Sequence, residues 1–209
     1  LRAALSTKTA MILVLAGEQS ENGSLSIKAI SSIVKPLNIP ILVDAAAEGL
    51  VVPNPHLSQG ADLVAYSGGK YRNGPQCSGL LIGRKDLVRA AWVTSAPHHG
   101  FGRGYKVGRE EIIGMLTAVE MWAKRDHVEE FRKWTSWLET IAGRLKKIPG
   151  VTTEIMQPKG RSNPSPELLV QWDPAIIPLT GYDVENILWE ESPRIAVSGA
   201  GSYLPFPPN

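Results

Sequence analysis

ADLVAYSGGKYRNGPQCSGLLIGR occupies residues 61–84, and its reading decides the fold. Two apolar runs, residues 61–69 and 78–84, flank a segment of Gly, Pro, Asn and Lys. Each run has the length and the turn-forming borders of a buried strand. The segment between them sets Lys70 directly after Ser67-Gly68-Gly69 and shortly before Gly74-Pro75. A solvated surface lysine needs no such neighbours, whereas an amine that must reach a buried reactive group has a use for them.

Working outward, IPILVDAAA (residues 39–47) is a second buried strand and TAMILVLAG (residues 9–17) a third, continuous and apolar. Continuous apolar runs mark strands of a parallel sheet, buried on both faces. Between them, residues 24–37 carry Leu25, Ile27, Ile30, Ile33 and Val34 at helical spacing. Strand, helix, strand predicts an α/β domain with right-handed crossovers. Downstream, residues 85–92 form a short helix and HHGFGRGY (residues 98–105) a glycine-rich loop. Residues 109–125 and 126–148 have helical periodicity. Strands follow at TTEIMQP and ELLVQWD, then a helix over 182–191 and a last strand at RIAVSG. The expected organisation is an α/β domain over 1–105, linking helices over 106–148 and a smaller α+β domain over 149–209.

Of the 209 residues 43% are hydrophobic, enough for a real core, and the formal net charge is only +2. Neither figure points to a bulk electrostatic partner such as nucleic acid. The longest apolar run near the start is too short to span a bilayer. No signal peptide is recognisable, and a cytoplasmic protein is expected. A single cysteine, Cys77, excludes an internal disulfide and a cysteine-cluster zinc site, and no metal is expected.

Asp44 closes the strand ILVD and Lys70 follows the strand AYSGG. In open α/β sheets ligands gather at the carboxyl ends of strands. Either residue alone reads more simply, the acid as a cap or turn residue and the lysine as a solvated loop residue. Together they present an acid and an amine at one edge, with Ala45, Ala46, Ala47, Ser67, Gly68 and Gly69 leaving room for a flat ligand. An acid that pairs with a pyridinium nitrogen and a lysine that forms a Schiff base are the groups pyridoxal phosphate requires.

VDAAAE, GADLVAYSGGKYRNGPQCSGLLIGRKDLV and GRGYKVGREEIIGMLTAVE together resemble the fold-type-I pyridoxal-phosphate enzymes. Within them the chain is similar to the selenocysteine synthase (L-seryl-tRNA selenium transferase) and D-glucosaminate-6-phosphate ammonia-lyase group. The resemblance is strongest from Thr9 to Trp122. It implies that Lys70 is the catalytic Schiff-base lysine and that Asp44 partners the ring nitrogen. It places Ala46 against a ring face, Ser67 at the phosphate or the lysine, and Gly74 near the phosphate. It implies the second half of a large cofactor-binding domain, with the glycine-rich phosphate cup and the ring-stacking residue before Leu1, so that the sequence is expected to be a piece of a longer protein. It also implies a homodimer or larger ring.

The expected reaction is α-proton removal followed by β-elimination on an amino acid or amino-sugar acid, with the lyase favoured. The alternatives are a selenium transferase proper, another fold-type-I aminotransferase or desulfurase, and a non-catalytic truncated homologue. A tRNA partner is not expected. Arg103, Lys106 and Arg109 form a candidate anion site for a substrate carboxylate or phosphate, and Arg194 lies where many fold-type-I enzymes hold the substrate carboxylate. His98 and His99 are candidates for proton transfer, although such a pair is more often a loop feature. Cys77 is expected to be a small residue in a packed turn, and Trp122, Trp134 and Trp137 to be packing residues.

Overall fold

The computed structural model describes residues 1–71 and 73–199. The chain divides into two compact units, Leu1–Asp126 with Pro158–Pro164, and His127–Gln157 with Ser165–Asn209.

The first unit is built on a four-stranded sheet in the order β1 (Ile12–Leu15), β2 (Ile41–Asp44), β3 (Leu63–Ser67) and β4 (Gly79–Gly83). β1, β2 and β3 run parallel, with Leu15 opposite Asp44 and Asp44 opposite Ala65. Between β1 and β2 come α1 (Glu18–Asn22) and α2 (Ile27–Val34), and between β2 and β3 comes α3 (Pro55–Ser58). Sequence periodicity starts the first long helix at residue 24, but it begins at Ile27 because Ser26 caps it, its hydroxyl accepting from the Ala29 N–H. The turn Lys35–Leu37 then tightens into a 3-10 helix; Pro36 has no N–H to continue the α-helical ladder.

β4 pairs antiparallel with β3, Ser67 opposite Gly79 and Leu63 opposite Gly83, a direction its apolar run alone does not give. Among its described residues the link between them holds no helix, and a parallel return needs a long crossover that residues 68–78 do not supply. One expectation about this sheet needs correction, and it concerns β1. Val14 is buried, but Leu13 is 66% and Leu15 75% exposed. β1 lies at the edge of the sheet, so its side chains alternate between the core and an open face. The core itself joins Ile27, Ile30 and Val34 of α2 to Val14, Ile41, Val43, Val64 and Tyr66 of the strands.

The edge of the sheet opposite the strand ends just described is locked by charge. Asp62 accepts from the Ile41 N–H at 2.9 Å and pairs with Arg84 at 3.1 Å, while Arg84 also reaches Asp86 at 2.6 Å. Hydrogen bonds donated to Asp86 and Asp62 hold the Arg84 guanidinium well above its ordinary pKa, and Arg84 in turn holds Asp86 below the usual carboxylate range. The motif LLIGRKD therefore has a structural task, closing β2, β3 and β4 at their far end. α4 (Lys85–Thr94) and α5 (Arg109–Lys124) complete this unit.

The second unit contains α6 (His127–Leu145), the antiparallel pair β5 (Val151–Met156) and β6 (Glu167–Trp172), and α7 (Gly181–Glu190). α7 starts at a capping box in which Thr180 accepts from the Asp183 N–H and Asp183 accepts from the Thr180 N–H and hydroxyl. Those bonds lower the pKa of Asp183. The strand expected at residues 194–199 does not form. A strand needs a ladder partner, and this segment instead turns back on α7, with the Ile195 N–H on the Leu188 carbonyl and the Gly199 N–H on the Glu185 carboxylate at 2.9 Å.

Candidate active site

Because β2 and β3 are parallel neighbours, their carboxyl ends open at one edge of the sheet. Asp44 is the last residue of β2 and half-buried. Its Oδ1 accepts the Ala46 N–H at 3.0 Å. This closes a turn over residues 45–48 in which Ala45 is buried and Ala46 half-buried. The Asp44 carbonyl accepts from the Ala16 N–H at 2.8 Å, joining the turn to the end of β1. Oδ2 has no protein partner among the described residues, so one carboxylate oxygen is available to a ligand.

Ser67 ends β3 half-buried, and Lys70 follows three residues later, exposed and with no side-chain partner among the described residues. The Lys70 loop is fixed by its own backbone. The Gly74 N–H donates to the Gly68 carbonyl at 2.8 Å, the Asn73 N–H donates to the Lys70 carbonyl at 3.0 Å, and Asn73 takes the left-handed conformation. Tyr71 meets the ring of buried Trp122 edge-on at 5.1 Å, and the Trp122 indole N–H donates to the Leu50 carbonyl. Burial of Trp122 agrees with its reading as a packing residue.

The glycines around Lys70 are explained by the protein itself. A Cβ on Gly68 would run into the Ser78 hydroxyl and lie 2.9 Å from the Met115 sulfur, and one on Gly69 would lie 2.6 Å from the Gln76 Cα. A Cβ on Gly74 would lie 3.1 Å from the Gly68 carbonyl oxygen and 3.2 Å from the Ala118 methyl. Their smallness lets the loop fold back under α5 and present Lys70 outward. Gly68→Ala is expected to cost about 1–3 kcal/mol through overpacking, read as a lowered urea midpoint. An unchanged midpoint would show that the loop has slack the geometry denies.

The remaining candidates are dispersed. Arg103 is half-buried in the loop before α5, and Lys106 and Arg109 are exposed. Among the described residues no side-chain hydrogen bond or ion pair joins them to Asp44 or Lys70, but α5, which Arg109 opens, packs Gly114 on Pro75 and Met115 near Gly68. Arg194 belongs to the second unit, where its guanidinium lies 5.7 Å from the Trp189 ring centre. His98 is held by the Trp92 and Ser95 carbonyls and packs edge-on against Trp92, so its ring serves the loop. Cys77 is exposed rather than packed; the buried residue of that turn is Ser78, whose hydroxyl donates to the Pro75 carbonyl. Among the described residues no His, Cys, Asp and Glu cluster could hold a metal ion, and no helix is long and apolar enough to cross a membrane.

One polar group escaped the sequence reading altogether. Glu48 and His56, 1% and 0% exposed, meet at 2.7 Å behind the Asp44 turn. Glu48 is the last letter of VDAAAE, and His56 lies in a stretch that shows no periodicity. Only the fold brings them together.

The chain is 32% identical over 158 residues to D-glucosaminate-6-phosphate ammonia lyase from Salmonella typhimurium, an alignment covering 75% of this chain and 40% of that protein. It is 29% identical over 104 residues to L-seryl-tRNA(Sec) selenium transferase from Proteus mirabilis, covering 44% of this chain and 21% of that one. A solved D-glucosaminate-6-phosphate ammonia-lyase structure superposes with a TM-score of 0.73 at 29% identity, over 94% of this chain and 50% of the other. The chain is a homologue of this group. The resemblance carried by the Asp44 and Lys70 motifs is thereby borne out, as is the mixed α/β fold. A third relative, 5'-C-glycyluridine monooxygenase-decarboxylase from a Streptomyces species, is 37% identical over 119 residues, which are 57% of this chain and 28% of that protein. No family model matches. The chain spans half or less of the length of the lyase and transferase relatives it matches.

Proposed function

We propose that this chain is part of a pyridoxal-phosphate-dependent lyase that removes the α-proton of an amino acid or amino-sugar acid and eliminates its β-substituent. The observation that carries the reading is that Asp44 ends β2 and Lys70 follows β3 at the same edge of two adjacent parallel strands, with neither the Asp44 Oδ2 nor the Lys70 amine partnered among the described residues. The residues present fit the cofactor: small side chains line both loops, and neither functional group is consumed by a protein partner among the described residues. When bound, pyridoxal phosphate supplies an electron sink for the carbanion left by proton removal.

The chain's own groups then have defined tasks. The Asp44 carboxylate holds a proton on the ring nitrogen, and the Ala46 N–H keeps that carboxylate turned toward the edge. The Lys70 amine would hold the cofactor and move the proton at the substrate α-carbon. Ser67 would orient that amine or meet the phosphate, Ala46 would flank the ring, and Gly74 lets the loop close against Gly68. Arg103 and Lys106 supply charge for substrate carboxylate or phosphate. The α-proton and β-hydroxyl leave as water; water returns to release ammonia, and a keto acid remains.

The full-length, cofactor-loaded protein is expected to release ammonia from D-glucosaminate 6-phosphate. No turnover of that substrate would remove it and leave the family chemistry to be sought on other β-substituted amino acids. The identity to the monooxygenase-decarboxylase favours a second reading, oxidative decarboxylation of an amino acid. Oxygen consumption coupled to carbon dioxide release, without ammonia release from an amino-sugar acid, would select it.

A further inference from the structure

We propose that Glu48, His56 and Arg161 are positioning residues for Asp44, a buried clamp that holds the turn over residues 45–48 in shape. The proposal rests on the reading that Asp44 faces the cofactor. Glu48 is four residues after Asp44, at the far end of the turn, and its N–H donates to the Ala45 carbonyl at 3.0 Å. Its side chain points inward, away from solvent, onto His56 Nε2 at 2.7 Å. With Glu48 ionised, Nε2 carries the proton of this bond; Nδ1 is buried with no partner among the described residues. His56 is itself fixed. Its N–H is accepted by the Asn54 side-chain oxygen, and the Asn54 amide donates to the Tyr66 hydroxyl at 2.6 Å, which ties α3 to β3.

The other jaw comes from the connection between β5 and β6, whose residues Pro158–Pro164 belong to the first unit. Arg161 reaches Glu21 at 3.3 Å and Glu48 at 3.8 Å. Beside it Ser162 makes an antiparallel bridge with Glu48, and the Asn163 N–H donates to the Ala47 carbonyl at 2.9 Å. The Ser162 hydroxyl reaches the Ala16 carbonyl at the end of β1. The turn is thus held by a carboxylate from beneath and by backbone from above, on the same strand ends from which Asp44 projects. A buried carboxylate is retained against its desolvation cost only where partners surround it, and here those partners fix the one turn whose geometry sets the acid.

The test compares Arg161→Ala, Arg161→Lys and Glu48→Gln with Asp44→Asn as reference. Arg161 is partly exposed, so its variants are expected to fold. Without cofactor, amide exchange at residues 45–48 is expected to rise roughly tenfold in Arg161→Ala and Glu48→Gln, as is tryptic cleavage after exposed Lys159, with partial recovery in Arg161→Lys. With pyridoxal phosphate added to the full-length protein, the visible band of the bound cofactor is expected to move in Arg161→Ala in the direction it moves in Asp44→Asn, by a smaller amount. Wild-type exchange and cleavage in both clamp variants would overturn the proposal. So would raised exchange with an unmoved band, which would make the clamp a stability element alone. If Asp44→Asn itself leaves the band unmoved, the reading that Asp44 faces the cofactor fails and the positioning role falls with it.

Discussion

Lys70→Ala is expected to abolish turnover in the full-length protein, by on the order of 10³-fold or more, and to remove the visible band that pyridoxal phosphate gives with the wild type. The size of the effect follows from one amine having two tasks, anchoring the aldehyde and moving the proton at the α-carbon. The loop around it is closed by backbone bonds and by Tyr71 on Trp122, none of which involves the Lys70 side chain. The substitution should therefore leave stability within about 0.5 kcal/mol of wild type, as surface substitutions do. That separation makes the result interpretable, since lost turnover in a protein of unchanged urea midpoint isolates the amine. A band that survives in Lys70→Ala would place the anchoring amine elsewhere and dismantle the site proposed here.

His56→Ala carries the largest expected effect on stability, a loss of about 3 kcal/mol. It leaves Glu48 buried beside a cavity without its 2.7 Å partner, and an uncompensated buried charge typically costs about 3–5 kcal/mol. Arg161 at 3.8 Å remains to compensate in part, which sets the expectation at the lower end. A domain is stable by only about 5–15 kcal/mol in total, so the urea midpoint should fall visibly. Replacing both residues, Glu48→Leu with His56→Leu, should recover much of the loss, because apolar pairs of similar volume are often neutral substitutes for buried ions. A midpoint for His56→Ala within about 0.5 kcal/mol of wild type would mean that solvent reaches Glu48 after all.

The strands of the first unit were legible because apolar runs ended by Gly, Asp or Ser announce them, and the α/β character followed from the helix between the first two, whereas their order did not. The direction of β4 was not, because an apolar run looks the same in either direction; what settles it is the short helix-free link that Gly68, Gly69 and Gly74 fold tightly against Gln76 and Ser78. The exposure of Leu13 and Leu15 escaped for a related reason, since a composition suited to a central strand cannot say that the strand stands at an edge. At the candidate site, Asp44 and Lys70 could be found because strand ends are where the sequence changes texture. The Glu48–His56 pair could not, because neither residue shows periodicity and their third partner, Arg161, comes from a loop that reads as an ordinary turn.

The two halves of the candidate site are finished at different moments of synthesis. The lysine loop is closed by residues a few positions apart, Gly68 with Gly74 and Lys70 with Asn73, and its other supports, the β3–β4 ladder and Trp122 of α5, are complete by Lys124. Local closures of this kind carry little loop entropy and form early. The acid's turn waits for Arg161 and Asn163, which emerge only after α5, α6 and β5 have been made. A nascent chain stopped before Pro158 would therefore already hold its amine in place while the carboxylate opposite still lacked its frame.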